Sequence, residues 1–315
     1  MKAVLKKIRH FWRVFKIGIE EIKEDLKWCG FHKDKASKLP WRLMLLAHSL
    51  EKGLGMVERK PDFGLQKARD LLRYMILYRE YRLDTTAFEY REASAILNCY
   101  VRTRENCHCD VSEFKKILME REEKLPAAGA YTVQKSDLQY SADHFKRLCE
   151  VRHSVREFSR IPVTKEEIER AMSIAIKAPS ACNRQMIRVY CSMDPQDQAQ
   201  LGKIVPGNRG FETEVDKYLF LTADRTAFDE CEIGQWYVNG GIFAAYLQLA
   251  FAAHEIGSCL FQWPKNPAAE RKVKSLLKIP PNEVIISVFG VGHYKDTFKV
   301  LFSARKSLEK ICIFR

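Results

Sequence analysis

Apolar residues recur at helical spacing from Val4 to Leu26, where Leu5, Ile8, Trp12, Phe15, Ile19, Ile22 and Leu26 can share one face. A second helical pattern opens at Pro40 and runs over Trp41–Leu50, and Gly53 and Gly55 should stop it. Further helical runs follow at about Leu65–Leu83, Ala87–Arg104 and Val111–Lys124. Residues 1–125 therefore read as an almost wholly helical extension. Pro126-Ala127-Ala128-Gly129-Ala130 breaks this rhythm, and residues 126–140 are expected to form a linker.

From residue 141 to 315 the pattern changes. Helices at Ala142–Val151 and about Lys165–Lys177 precede short β-type runs at Ile187–Ser192, Tyr218–Thr222, Cys259–Phe261 and Val284–Phe289. Helices separate these runs, notably Val238–Ile256, for which Gly257 is the expected C-cap. The alternation predicts an α/β (α+β) fold, a sheet flanked by helices, preceded by the helical region.

Composition removes several classes. With 46% hydrophobic and 30% charged residues the chain has the make-up of a folded globular protein. No run approaches the length of a membrane-spanning helix, and Lys2, Lys6, Lys7, Arg9, Arg13 and Lys16 interrupt every apolar stretch that could serve as an export signal. The ten cysteines are accordingly expected to be free thiols in a cytoplasmic protein. Cys107-His108-Cys109 lacks the second ligand pair of a structural zinc site, so no metal is expected there.

The net charge of +13 is uneven: residues 1–60 hold fifteen Lys/Arg against seven Asp/Glu, and no acid precedes Glu20. The first helix is thus basic and aromatic. It reads as a packing element against its own domain or a second subunit, with peripheral contact of residues 1–26 to the inner face of an anionic membrane as the alternative. A nucleic-acid partner is not expected, because no reader motif accompanies the basic helix.

No phosphate-binding GxxxxGK[ST] loop, HExxH helix or GxSxG elbow is present, and Gly290-Val291-Gly292 has Lys295 where a dinucleotide fingerprint needs its third glycine. Arg152-His153-Ser154-Val155-Arg156 does suit an anionic ligand, since two guanidinium forks and a hydroxyl fall within five residues. Ala178-Pro179-Ser180-Ala181-Cys182-Asn183-Arg184-Gln185 is a loop of small and amide residues that a flat ligand can approach closely. Arg305 and Lys306 supply further cations near the end of the chain.

Taken in order, RHSVR (152–156), APSACNRQ (178–185), NGGIFAAYLQLAFAAHEIGSCLF (239–261), IPPNEVIISVFGVGHYKD (279–296) and RKSLEK (305–310) resemble the FMN-dependent nitroreductase family over about 170 residues. The resemblance implies a homodimer with FMN at the subunit interface. It implies that Arg152, His153 and Ser154 contact the flavin phosphate and ribityl chain, that Arg156 approaches the pyrimidine edge, and that Arg305 and Lys306 complete the phosphate site. Pro179, Ser180, Ala181 and Asn183 would reach the partner's cofactor, while the turn containing Leu260, Phe261 and Gln262 would pass the ring's N5 edge. No side chain is then required as a catalytic nucleophile or base. NAD(P)H would reduce the bound FMN, which would pass electrons to a nitro-, quinone-like or specific biosynthetic acceptor.

Departures from the family pattern bear on the substrate more than on the cofactor. Met186 follows Gln185 where proline is common, Asn208 is the nearest counterpart of a family asparagine before the second strand, and little chain lies between Asp224 and Trp236, where relatives often insert a substrate-covering excursion. The extension carrying HSLEKGL (48–54) resembles one on nitroreductase-like proteins encoded among surface-polysaccharide genes. Two alternatives therefore stand beside the oxidoreductase reading: a flavin-dependent tailoring dehydrogenase in surface-polysaccharide metabolism, and a non-catalytic membrane-associated scaffold that keeps the fold. His48 and Glu51, at i and i+3, read as a helix-end contact or an acid/base pair.

Overall fold

The structure, a computed structural model, describes residues 2–29, 35–56, 58, 60, 62–118, 125–139, 141–264 and 266–315. Its N-terminal part is helical: α1 (Lys2–Trp28), α2 (Leu39–Leu54), α3 (Leu65–Glu80), α4 (Phe88–Asn106) and α5 (Ser112–Leu118). Pro40 at the start of α2 gives up an N–H that no helical carbonyl would accept, and Gly55 caps the other end. Helical spacing places Leu39, Leu43, Ala47 and Leu50 on one face of α2, where they pack against Leu71 and Met75 of α3, Ile96, Leu97 and Tyr100 of α4, and Phe114 of α5. The run expected from Val111 to Lys124 is helical over Ser112–Leu118; residues 119–124 lie outside the described residues.

The second part contains α6 (Ser141–Val151), α7 (Lys165–Ala175), β1 (Ile187–Cys191), α8 (Pro195–Ile204), β2 (Lys217–Asp224), α9 (Gln235–Ala253), β3 (Ile256–Gln262), α10 (Pro267–Leu277) and β4 (Glu283–His293). The strands form one antiparallel sheet in the order β1-β2-β4-β3. The fold is mixed helix and sheet, and the antiparallel pairing makes it α+β rather than a parallel α/β layer.

All of β2 is buried, as a central strand covered on both faces must be. Its alternation divides two cores. Leu219 and Leu221 meet Ala171 and Ala175 of α7 and Phe243, Leu247 and Phe251 of α9. Tyr218 and Phe220 point the other way, toward Leu201 of α8 and Val273 of α10.

One expectation is corrected here. Gly257 does not cap α9, which ends at Ala253 with His254 as its cap residue. Glu255 takes the left-handed turn (φ 58°), and Gly257 lies inside β3.

The helical part is latched to the segment after β2. Trp41 and Cys29 share a buried cluster with Met186, Phe228 and Trp236. Trp41 Nε1 donates to Thr226 Oγ1 (2.9 Å), Lys38 Nζ to the Phe228 carbonyl (2.6 Å), and Arg42 Nη2 to both carboxylate oxygens of Asp229 (2.7 and 2.8 Å). Burial lowers the Lys38 pKa and raises that of Cys29 to about 11, as desolvation disfavours each charged form. No helix among the described residues is long and apolar enough to cross a membrane.

Candidate functional site

The site grows from the edge of β3. Beyond the end of α6 the chain runs alongside this strand: Ser154 bridges Ser258 in parallel, and the Val155 N–H donates to the Ser258 carbonyl (2.9 Å). Four residues on, the Ser159 N–H donates to the His293 carbonyl at the end of β4 (2.9 Å). Phe158, buried between these tethers, lies against the cross-strand pair Gly257 and Gly292.

A Cβ on Gly292 would come within 2.7–2.8 Å of Phe158, and one on Gly257 within 3.1 Å of its ring. The two glycines thus open the sheet surface on which residues 154–159 lie flat. Glycine is present at 257 for lack of a side chain, and not for helix termination.

This seating presents the predicted cations on the β3 side. Arg152, Ser154 and Arg156 are half-buried, and the Arg156 guanidinium donates to the Ser154 carbonyl (3.3 Å) and lies 6.0 Å from the Phe211 ring. Burial raises the pKa of Cys259 in β3, and the nearby charge of Arg156 opposes the rise. Tyr294, just past β4, is raised by burial and opposed in the same way by Arg152. Of this motif Ser154 is the residue paired with β3, with Arg156 near Cys259 of that strand and Arg152 near Tyr294 just past β4. His153 is half-buried beside them.

The small-residue loop is fixed from two sides. The Ala181 N–H donates to Asn239 Oδ1 of α9 (2.8 Å), and the Gln185 N–H donates to Ser180 Oγ (3.0 Å). Cys182, Asn183 and Gln185 adopt left-handed backbone angles, with φ between 51° and 52°. Below the loop Arg184 is buried: its guanidinium donates to the carbonyls of Ala181 and Ala227 and grips Glu232 in a fork (2.6 and 2.9 Å). That contact holds the Glu232 carboxyl below the usual range. Arg184 is a structural anchor, a role that its place in the APSACNRQ loop did not distinguish in the sequence. Pro179 is exposed, and Ser180, Ala181 and Asn183 are half-buried.

Leu260, Phe261 and Gln262 lie in strand β3 and not in a turn, a second correction. Their register with Phe289, Val288 and Ser287 continues the antiparallel ladder. Phe261 is buried against Phe211 (ring centroids 5.9 Å apart), while Leu260 and Gln262 are exposed. Because β3 is the last strand of the sheet, alternate backbone N–H groups beyond Ser258 point away from β4.

Arg305 and Lys306 do not join this group within the chain. Residues 299–315 are exposed throughout, and Arg305 donates to the Ser303 carbonyl two residues away.

Other candidate groups lie elsewhere. Asn208 is buried and donates to the Gly202 carbonyl and the Tyr218 hydroxyl (both 2.8 Å). His48 Nδ1 and Glu51 stand 3.7 Å apart, too far for a hydrogen bond. Cys107 forms the C-cap of α4, and among the described residues no three His, Cys, Asp or Glu side chains are placed to hold a metal.

Residues 150–208, which contain both the cation motif and the small-residue loop, match the model of the Nitroreductase family. This segment is nitroreductase-like. No curated protein matches the chain. Among solved structures, an FMN-dependent nitroreductase from Clostridium difficile is similar at 21% identity and a TM-score of 0.45, covering 53% of this chain and 96% of that one. A nitroreductase family protein from Streptococcus pneumoniae is similar at 22% identity and a TM-score of 0.46, covering 54% and 100%. In the nitroreductase-like part, the stretch between β2 and α9 receives α1 and α2 through Arg225, Thr226, Phe228 and Asp229.

Proposed function

We propose that the chain is an FMN-dependent oxidoreductase whose flavin lies along the β3 edge. The observation that carries this reading is the pairing of Ser154 with that edge, fixed by the Phe158–Gly257–Gly292 contact, with Arg152 and Arg156 two residues to either side of it in the chain. The donor set fits the cofactor: two guanidinium groups and a hydroxyl offer hydrogen bonds to a dianionic phosphate, and unpaired strand N–H groups offer them to a ring edge. Bound FMN would supply two-electron chemistry that no protein side chain provides. Arg152 and Ser154 would bind the anionic tail. Arg156 would hold positive charge beside the ring edge, where charge develops on reduction. The backbone of Leu260–Gln262 would orient the ring, and NAD(P)H is the proposed donor.

The site is proposed to be completed by a second copy. Tyr237, Val238, Ile242 and Tyr246 leave one flank of α9 exposed and apolar, and Leu301, Phe302, Leu308, Ile311, Ile313 and Phe314 do the same for the tail. Such surfaces suit burial between two chains. In that dimer Arg305 and Lys306 would reach a flavin phosphate, and Pro179, Ser180, Ala181 and Asn183 the partner's flavin.

One observation favours a restricted acceptor over a broad one. Helix α2 packs on the Ala181–Asn183 turn, which on this reading borders the cofactor. A tailoring enzyme acting on one biosynthetic intermediate is the second reading.

The absorption spectrum of the purified chain, with identification of the released flavin, tests the proposal. The wild type should be yellow with FMN and sediment as a dimer, and Arg152→Ala with Arg305→Ala should be colourless yet folded. A wild type that takes up no FMN, or a double variant that keeps it fully, overturns the assignment. Broad NAD(P)H-driven reduction of quinones and nitroaromatics would select the first reading, and flavin binding without it the second.

A further inference from the structure

Helix α1 is docked by its acidic edge. Glu21 and Asp25, one turn apart, lie on a stripe that continues to the buried Cys29, whose thiol faces the Arg225 carbonyl (3.6 Å). Buried Arg225 sits among Glu21 (3.3 Å), Glu24 (3.7 Å) and Asp25 (3.9 Å).

The apolar stripe faces elsewhere. Leu5, Ile8, Trp12, Phe15, Ile22 and Leu26 are 46–63% exposed, and Ile22 and Leu26 are so even beside the docked acids. The usual arrangement is inverted, since an amphipathic helix ordinarily buries this stripe and leaves its charges in water. From Leu5 to Leu26 the stripe is about 32 Å long at the α-helical rise. Phe11, Trp12 and Phe15 touch one another upon it, with ring centroids 5.7–5.8 Å apart.

Charge says what kind of surface covers the stripe. Arg9 and Lys16 border it and Lys7, Arg13 and Lys6 lie farther round the same turns, with no acid before Glu20. The occupant must be apolar and anionic over the same long strip. A second copy of this helix would set cations against cations, because Glu21, Glu24 and Asp25 are engaged with Arg225 and Glu20 with Lys23. A nucleic acid would leave the aromatic stripe in water.

We propose that α1 lies flat in the surface of an anionic lipid bilayer, with Trp12 and Phe15 at the headgroup–acyl boundary and the flanking cations among the headgroups. The Arg225 cluster then fixes the rest of the molecule to the bilayer-bound helix.

The test is flotation of the full chain with phosphatidylcholine vesicles, with and without about one-third phosphatidylglycerol. The wild type should float with the anionic vesicles and detach as salt rises. Lys6→Gln/Lys7→Gln/Arg13→Gln should weaken partitioning by about a hundredfold, near fivefold for each cation. Trp12→Ser/Phe15→Ser should weaken it by at least about tenfold through lost apolar burial. Both variants change side chains that are exposed in the chain, so far-UV circular dichroism should match the wild type. No binding, equal binding to neutral vesicles, or binding that survives both variants overturns the proposal. A fall in sedimenting mass caused by the aromatic pair assigns the stripe to a second copy and overturns it equally.

Discussion

Replacing Gly292 by alanine tests how the cation motif is held. The new Cβ would lie 2.7–2.8 Å from Cβ, Cγ and Cδ1 of Phe158. Carbon atoms rest at about 3.5–4.0 Å, so the two segments must part by about 0.7–1.3 Å. Phe158 cannot swing aside, because it is buried and the contact includes its own Cβ. The shift falls on residues 154–159, held by the 2.9 Å bonds from Val155 to Ser258 and from Ser159 to His293. Overpacking of this kind costs about 1–3 kcal/mol. Weakening the two tethers adds about 0.5–1.5 kcal/mol each.

Gly257→Ala should cost less, since its Cβ would meet the tip of the ring at 3.1 Å and the Gly292 carbonyl at 3.2 Å. Urea denaturation of both variants gives the ranking, and the flavin content of the purified proteins reports the motif. The expected result is Gly292→Ala below Gly257→Ala below wild type in stability, with flavin lost in the same order. A Gly292→Ala protein as stable and as yellow as the wild type would refute the seating argument.

Other expectations follow from the anchors. Arg184→Lys should destabilise the chain by about 2–4 kcal/mol in denaturant titrations, because a lysine cannot reproduce a buried fork to Glu232 and two carbonyls. Thr164→Ala should cost about 1 kcal/mol by removing the capping box of α7, in which the Glu167 N–H donates to Thr164 Oγ1 and the Thr164 N–H to Glu167. The Thr164 N–H, with lesser help from His293, holds the Glu167 carboxyl below its ordinary pKa. Its folded value is the lower one, so its contribution is complete above the usual glutamate range and is lost as pH falls through the folded pKa. Glu167→Gln should therefore flatten the acid side of the stability–pH curve, and an unchanged acid limb would contradict the contact.

Much of the fold was legible because it depends on local rules. Helical spacing marked α1 to α5, and short β-type runs located all four strands to within a few residues. Helices α8 and α10 were not delimited, although each opens with an Asx–Pro pair, Asp194-Pro195 and Asn266-Pro267, whose side chain caps the first turn. Gly257 was misread for a related reason: a glycine after a helical run looks like a cap, and only a neighbouring strand and Phe158 show what its missing Cβ is for. Likewise the motifs at 152–156 and 178–185 could be named from their chemistry, but Arg184 could not be separated from the cations that face a ligand.

By itself the sequence determined what each segment tends to form and which chemistry it carries: a basic amphipathic first helix, a sheet framed by helices, and donors suited to an anion. Tertiary structure decided which faces meet. It turned the acidic edge of α1 toward Arg225 and its apolar stripe outward, laid residues 154–159 across two facing glycines, and left Arg305 on an exposed tail. The physical reason is range. Periodicity and capping act within a few residues, whereas packing joins Glu21 to Arg225 and Phe158 to Gly292 across stretches of chain that no local pattern spans.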